Sequence, residues 1–209
     1  MRIRPALLVV LTFAVLILIG IVVLQASIPA HRQAETDIIT SAFTAVSAVC
    51  VTGLSVVDLS RDMGFSGQLV ILVLIQLGGL GVLTLSNWVL LSLRGRLGVY
   101  GALVTLDTVG AHPRVSPAVL VRRIVLFTLS IEAVGALILF LRFLGDFAPQ
   151  RAAWLAVFHS VSAFCNAGFS LFSGSLTDYR EDIVVNLTVT ALIMLGGLGF
   201  VAAMDVIEQ

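Results

Sequence analysis

Four apolar stretches of this chain are long enough to cross a lipid bilayer, and two more, set between them, are not. The long ones run roughly Pro5–Ile28, Gly67–Leu93, Pro117–Leu144 and Ile183–Ile207. A hydrocarbon layer about 30 Å thick takes about twenty helical residues to cross. The short ones, roughly Asp37–Val49 and Arg151–Ala163, have 13 residues each. Both run into Gly-containing sequence, VSAVCVTGLS at Val46–Ser55 and VSAFCNAGFS at Val161–Ser170. Irregular backbone is tolerated at membrane depth only where protein surrounds it or where it lines a watery path. Each short segment therefore reads as a helix that enters the membrane, stops, and returns through extended backbone. The order is span, half-helix, loop, span, and it occurs twice.

Composition fixes the class. Of 209 residues, 59% are hydrophobic and 11% charged, against about 45–50% and about 25% in soluble domains. The fold class is an all-α integral membrane protein. Formal net charge is zero, which leaves no footprint for nucleic acid. The basic start at Arg2 and Arg4 precedes an apolar run of about twenty residues, longer than the roughly 7–15 of a signal peptide. It reads as a first span. No metal-ligand spacing links His31, His112 and His159, and no catalytic constellation is present, so the chain is expected not to be an enzyme. Cys50 and Cys165 hold matching places in the two phrases and read as small buried residues.

Arginine placement sets the expected orientation. Arg2 and Arg4 precede the first span, and Arg94, Arg96, Arg114, Arg122 and Arg123 lie in or beside the link at 94–116. The opposite links carry Arg32, Arg61, Arg142, Arg151 and Arg180 mixed with Glu35, Asp37, Asp58, Asp62, Asp146, Asp178, Glu181 and Asp182. The N-terminus and the 94–116 link are thus expected in the cytoplasm of a multi-pass cell (inner or plasma) membrane protein. Both half-helices then enter from outside.

Setting Gly53 on Gly168, an offset of 115, lays the two phrases over each other with six matches in ten. Leu77-Gly78-Gly79-Leu80-Gly81 returns as Leu195-Gly196-Gly197-Leu198-Gly199 at an offset of 118. A loop absorbs the three-residue difference. Both landmarks in the same order argue for duplication. Entry from the same side makes the repeat parallel, with an axis along the membrane normal. The expected organisation is a first unit at 1–93, a cytoplasmic link at 94–116 and a second unit at 117–209.

A half-helix aims the negative end of its dipole into the membrane. Backbone carbonyls beyond it can replace an ion's hydration shell. That chemistry needs a Gly where the dihedrals are unusual, with small or hydroxyl residues before it. Val51-Thr52-Gly53 and Asn166-Ala167-Gly168 meet the requirement.

SAVCVTGLSVVDL followed by QLVILVLIQLGGLG, and HSVSAFCNAGFSLF followed by LGGLGF, resemble the first two repeats of the membrane subunit of Ktr/Trk-type potassium uptake systems. The start of the first span at the very N-terminus resembles the Ktr form. The resemblance implies a channel-like unit of helix, pore helix, filter and helix, present four times per subunit. It implies that Gly53 and Gly168 are filter glycines, and that Val51, Thr52, Asn166 and Ala167 offer carbonyls to potassium. It also implies sodium as a candidate coupled ion, a homodimer of membrane subunits, and a cytoplasmic nucleotide-binding regulatory ring as partner. Only two repeats lie in these 209 residues. A fragment is the favoured expectation, with a second copy completing the ring as the alternative. A secondary transporter with broken helices and a non-conducting half-channel are the competing readings; a transporter of that kind would favour an inverted repeat.

Several single residues carry their own readings. Glu132, deep in the third span, is a functional candidate by position, but a structural hydrogen bond is preferred for it and for His159, which could partner it. The two Gly clusters read as close helix packing. Asp58 is either an outer-mouth carboxylate or a plain loop residue. Asn166 either forms an Asx-type turn or presents its carbonyl.

Overall fold

The structure is a computed structural model of the chain, and it describes residues 5–27, 38–94 and 117–207. Arg2, Arg4, Arg32, Glu35, Asp37, Arg96, Arg114, His31, His112 and the body of the 94–116 link lie outside the described residues. So does the side chain of Arg94.

Among the described residues all regular structure is helical. In chain order there are α1 (Pro5–Ser27), α2 (Ile38–Val49), α3 (Leu59–Asp62), α4 (Phe65–Arg94), α5 (Pro117–Phe143), α6 (Pro149–Phe164), a 3₁₀ turn (Thr177–Tyr179) and α7 (Ile183–Ile207). The long segments match the expected spans to within two residues at every described end. Proline opens α1, α5 and α6, the place where its missing N–H costs nothing. That is why α6 begins two residues before the expected Arg151. The three-residue difference between the repeats falls beyond the irregular segments, where one has α3 and the other the 3₁₀ turn.

Helices α1, α2 and α4 pack on one another, as do α5, α6 and α7. The α4 helix joins the groups by packing on α5, α6 and α7. Both short helices are interior elements. Ala45, Ala48 and Val49 of α2 and Ala152, Leu155, Phe158 and Phe164 of α6 are fully or almost fully buried. The long helices turn large apolar side chains outward instead: Leu18 in α1 is 62% exposed, Leu137 in α5 58% and Leu187 in α7 66%. Val10–Ser27 and Arg122–Phe143 are apolar enough to cross a membrane over 18 and 22 residues. An apolar exterior around a partly polar interior, with Ser41, Thr44, Ser47, Thr128, Glu132, His159, Ser160 and Ser162 buried, suits a lipid solvent.

Glycine permits the closest approaches. A Cβ on Gly78 of α4 would overlap the Val49 carbonyl at the end of α2, and a Cβ on Gly196 of α7 would overlap the Phe164 carbonyl at the end of α6. Val49 and Phe164 are 115 apart, Gly78 and Gly196 118 apart, the same offsets that relate the two phrases. The duplicated glycines thus make duplicated contacts, and close packing is their role. Gly79 extends the pattern between groups, since a Cβ there would lie 2.5 Å from Cys165 Sγ.

Polar side chains join the groups at one end. Trp154 Nε1 donates to Gln68 Oε1 at 2.8 Å, and Gln68 Nε2 donates to the Leu59 carbonyl at 2.9 Å. The Ser60 and Ser173 hydroxyls meet at 2.9 Å. At the same end Arg142, closing α5, pairs with Asp182 at the head of α7 and with Asp146 at 2.8 Å. The Val185 N–H, then the Arg142 guanidinium, hold the Asp182 carboxyl below the usual carboxylate range. Burial, with help from Asp146, pushes the Tyr179 phenol up to about 12.

Candidate functional site

The ends of α2 and α6 are closed by the same pair of hydrogen bonds. After α2, Thr52 N–H donates to the Ser47 carbonyl at 2.8 Å and Val51 N–H to the Ala48 carbonyl at 3.3 Å. After α6, Ala167 N–H donates to the Ser162 carbonyl at 2.7 Å and Asn166 N–H to the Ala163 carbonyl at 3.0 Å. This is the Schellman closure, which requires a left-handed residue just past the helix. Val51 has φ 55° and Asn166 φ 58°. Asn accepts that conformation easily; for a β-branched residue it is a true outlier, costing about 1–2 kcal/mol. Two residues on, the chain turns left-handed again at Gly53, φ 80°, and Gly168, φ 72°. Alternating left-handed residues over three positions turn the backbone into an irregular, extended path. The sequence reading put the break at the glycines; it begins two residues earlier, at Val51 and Asn166.

The two irregular segments meet. A Cβ on Gly53 would lie 2.5 Å from the Ala167 carbonyl oxygen and 3.1 Å from Gly168 Cα. Gly53 is thereby set against Ala167 and Gly168, and the segments 51–53 and 166–168 adjoin there, each just past the C-terminal end of a short helix. Each end carries about half a negative charge from its aligned peptides, so the junction favours a cation.

The surroundings of the two segments differ. Behind the second, Ser162 Oγ donates to the Phe169 carbonyl at 2.7 Å. His159 Nε2 lies 3.0 Å from Ser170 Oγ and accepts the Leu171 N–H at 3.3 Å. Its Nδ1 lies 2.7 Å from the Leu155 carbonyl. Behind the first, the Ser47 hydroxyl has no partner among the described residues, and Thr44 donates to the Thr40 carbonyl within its own helix. Of these, Ser162 and Ser170 were not legible in sequence, and His159 was read only as a structural hydrogen bonder; the signal was that His159, Ser160 and Ser162 cluster in the last part of a short, largely apolar helix.

Other expectations resolve as follows. Glu132 is buried but does not bind His159. Its backbone carbonyl accepts the Ser160 hydroxyl at 2.7 Å, and its carboxyl lies 3.9 Å from Cys165 Sγ. Gln76 of α4 lies beside that carboxyl but outside hydrogen-bond geometry, and its enclosed amide atoms have no partner. Asn166 Nδ2 reaches back to the Phe164 and Ile193 carbonyls, both at 3.4 Å. Its side chain thus ties α6 to α7 instead of forming an Asx turn. Asp58 is an N-cap: its carboxylate accepts the Ser60 N–H at 2.9 Å, and the hydroxyls of Ser173, then Ser60, hold its carboxyl low. Cys165 is buried as expected, but Cys50 is exposed, and both thiols are free. The symmetry of the phrases does not extend to burial, because Gly79 covers Cys165 while Cys50 has no such neighbour among the described residues.

The chain is similar to known cation transport proteins over nearly all of its length. The family described as "TrkH: Cation transport protein" matches residues 8–209. The chain is 37% identical to Ktr system potassium uptake protein B of Vibrio alginolyticus over 180 residues, 86% of this chain and 40% of that protein. It is 35% identical to the Bacillus subtilis protein of the same name over 209 residues, 100% of this chain and 46% of that one. It is 32% identical to potassium/sodium uptake protein NtpJ of Enterococcus hirae over 207 residues, 99% and 46% respectively. The chain therefore spans less than half the length of these relatives. With a match that runs over nearly all of its residues, the chain belongs to the TrkH family of membrane cation transport proteins.

Proposed function

We propose that the chain supplies two filter-bearing units of a potassium-translocating membrane protein, at 1–93 and 117–209, joined by the 94–116 link. Potassium passes as cargo between backbone carbonyls of Val51, Thr52, Gly53, Asn166, Ala167 and Gly168, without covalent chemistry. The observation that carries this reading is the doubled backbone: two short helices end in the same closure, turn left-handed at matched residues, and meet at Gly53 and Gly168. Helix dipoles make that meeting point attractive to a cation. Carbonyls freed from helical pairing supply ligands of the kind potassium filters use. The printed names of the Vibrio and Bacillus relatives favour potassium as the ion.

Sodium is the second ion of this reading, as a coupled or accompanying ion, favoured by the name of the Enterococcus relative. The Ser60 and Ser173 hydroxyls, each just beyond its unit's irregular segment, meet at 2.9 Å; a shared end supports a parallel repeat, against the inverted one a broken-helix transporter would favour. Two units enclose half of a four-sided filter. The remaining half comes from further units or from a second copy, and a homodimer over a cytoplasmic nucleotide-binding ring is the proposed assembly. The N-terminus lies in the cytoplasm on the arginine bias.

Uptake in cells that lack potassium uptake of their own tests the reading. Expressed from its full reading frame, the protein should restore growth at low potassium. Gly53→Ser and Gly168→Ser should each abolish potassium preference over sodium while the protein still reaches the membrane. Retained preference in both variants refutes the filter.

A further inference from the structure

The hydrogen bonds behind the second irregular segment form a closed set whose roles follow from donor and acceptor chemistry. A carbonyl only accepts, so the 2.7 Å contact between His159 Nδ1 and the Leu155 carbonyl puts the ring proton on Nδ1. A backbone N–H only donates, so Nε2 accepts from Leu171 at 3.3 Å. Ser170 Oγ accepts the Phe172 N–H at 3.1 Å, and its own proton points to Nε2 at 3.0 Å. His159 is thus neutral, in one tautomer, with both ring nitrogens engaged. Phe143 and Phe172 pack on the ring, the latter stacked at 4.7 Å between centroids. With Ser162 on the Phe169 carbonyl, three consecutive residues after Gly168 are fastened to α6 by side chains.

The first unit lacks the device. Thr44 stands where the 115 offset puts His159, and its hydroxyl is spent on its own helix. Ser47 stands for Ser162 and has no partner among the described residues. Ser55 stands for Ser170 and donates locally to the Val57 carbonyl at 2.6 Å. Among the described residues no side chain of α2 holds Leu54, Ser55 or Val56.

We propose that His159 is the positioning residue that fixes the second half of the filter, and that ion preference depends on this half more than on the first. The proposal rests on the filter reading above. Carbonyl ligands distinguish ions only as far as their positions hold against an ion that would draw them elsewhere. His159 and its tether to Ser170 and Leu171 supply that hold on one side only.

Potassium and sodium uptake, measured with the full reading frame at matched membrane levels, test it. His159→Leu keeps bulk and removes both nitrogens. It should lower the potassium-over-sodium ratio about fivefold, the worth of one neutral hydrogen bond. His159→Gln places an amide oxygen near the Nε2 position and should restore the ratio to within about twofold, as a tether does and a merely packed ring does not. Thr44→Ala should leave the ratio unchanged. A wild-type ratio in His159→Leu overturns the proposal, as does a Gln variant no better than Leu, or an equal fall in Thr44→Ala. If His159→Leu fails to reach the membrane, Ser170→Ala removes the Ser170 arm of the tether and leaves the Leu171 arm, and a smaller fall, about twofold to threefold, is expected or the proposal fails. Gly168→Ser separates the two readings: lost preference there with a normal His159→Leu sinks this proposal alone, whereas preference retained in both Gly168→Ser and Gly53→Ser sinks the filter itself.

Discussion

Replacing Gly196 or Gly78 by alanine tests the packing of this fold at its two tightest points. In each case the new methyl would overlap a backbone carbonyl oxygen, of Phe164 or of Val49. Neither oxygen lies on a flexible side chain. Each belongs to the last turn of a short helix held from the other side by α5 or α1. Relief therefore requires the whole long helix to retreat, by roughly an ångström or more, and retreat opens contacts along its length in an interior packed near crystal density. Overpacking of this kind costs about 1–3 kcal/mol. A domain of this size shifts in midpoint by about 2–4 °C per kcal/mol, so each variant should melt about 4–8 °C lower, taking 2 kcal/mol as the central case. Gly64→Ala is the control, because nothing lies within 4 Å of the added Cβ. The assay is thermal unfolding of the detergent-solubilised chain, followed by tryptophan fluorescence from Trp154, which is partly buried at the junction between groups. If Gly196→Ala and Gly78→Ala melt within a degree or so of Gly64→Ala, the duplicated backbone contacts do not hold the long helices to the short ones, and the argument from them fails.

Two further perturbations reach other parts of the structure. Asp182 has its carboxyl held below the ordinary range, first by the Val185 N–H and then by Arg142. A depressed folded pKa stabilises above the unfolded value, near 3.9, and that contribution is lost as pH falls through the folded one. The melting temperature should be flat from about pH 7 to pH 5 in this respect and fall below about pH 4. Asp182→Asn keeps an N-cap oxygen and should flatten part of that fall; an unchanged acid limb contradicts the assignment. Val51→Asn copies the residue that the second unit carries at the same left-handed position. It should recover roughly 1 kcal/mol of backbone strain, seen as a melting temperature about 2–4 °C higher, while Asn166→Val should lower it by as much. A lower melting temperature for Val51→Asn refutes the strain argument, and a higher one for Asn166→Val refutes it more directly.

The sequence carried the spans, the two half-helices and the pairing of Gly53 with Gly168, because each is written in local terms: apolar run length, a break, a repeated phrase. It carried the packing role of Gly78 and Gly196 for the same reason, since a small residue repeated at one register is a contact repeated at one register. The left-handed turn at Val51 was not legible. Valine is the residue least suited to that dihedral, and only the closure made by Ser47 and Thr52 forces it. Asn166, in the matching place, was a readable cue for helix termination, but its amide also invited the Asx-turn reading that the contact with Ile193 displaces. The partner of His159 was illegible because Ser170 and Leu171 lie on the far side of a left-handed turn whose direction the residues alone do not specify.

These differences bear on what duplication leaves behind. The backbone of the two units has stayed alike where function would read it, at the helix closures and the paired glycines. The side chains behind it have not: Thr44 and His159, Ser47 and Ser162, Cys50 and Cys165 hold equal places with unequal partners. A closure set by main-chain bonds tolerates drift at the side chains that surround it, as Val51 shows by occupying an unfavourable dihedral in the same closure as Asn166. Hydrogen bonds from α6 have accumulated on one copy only. A filter built from such units, as proposed, would have the symmetry of its backbone and the asymmetry of its supports, and its preference among ions would follow the supports.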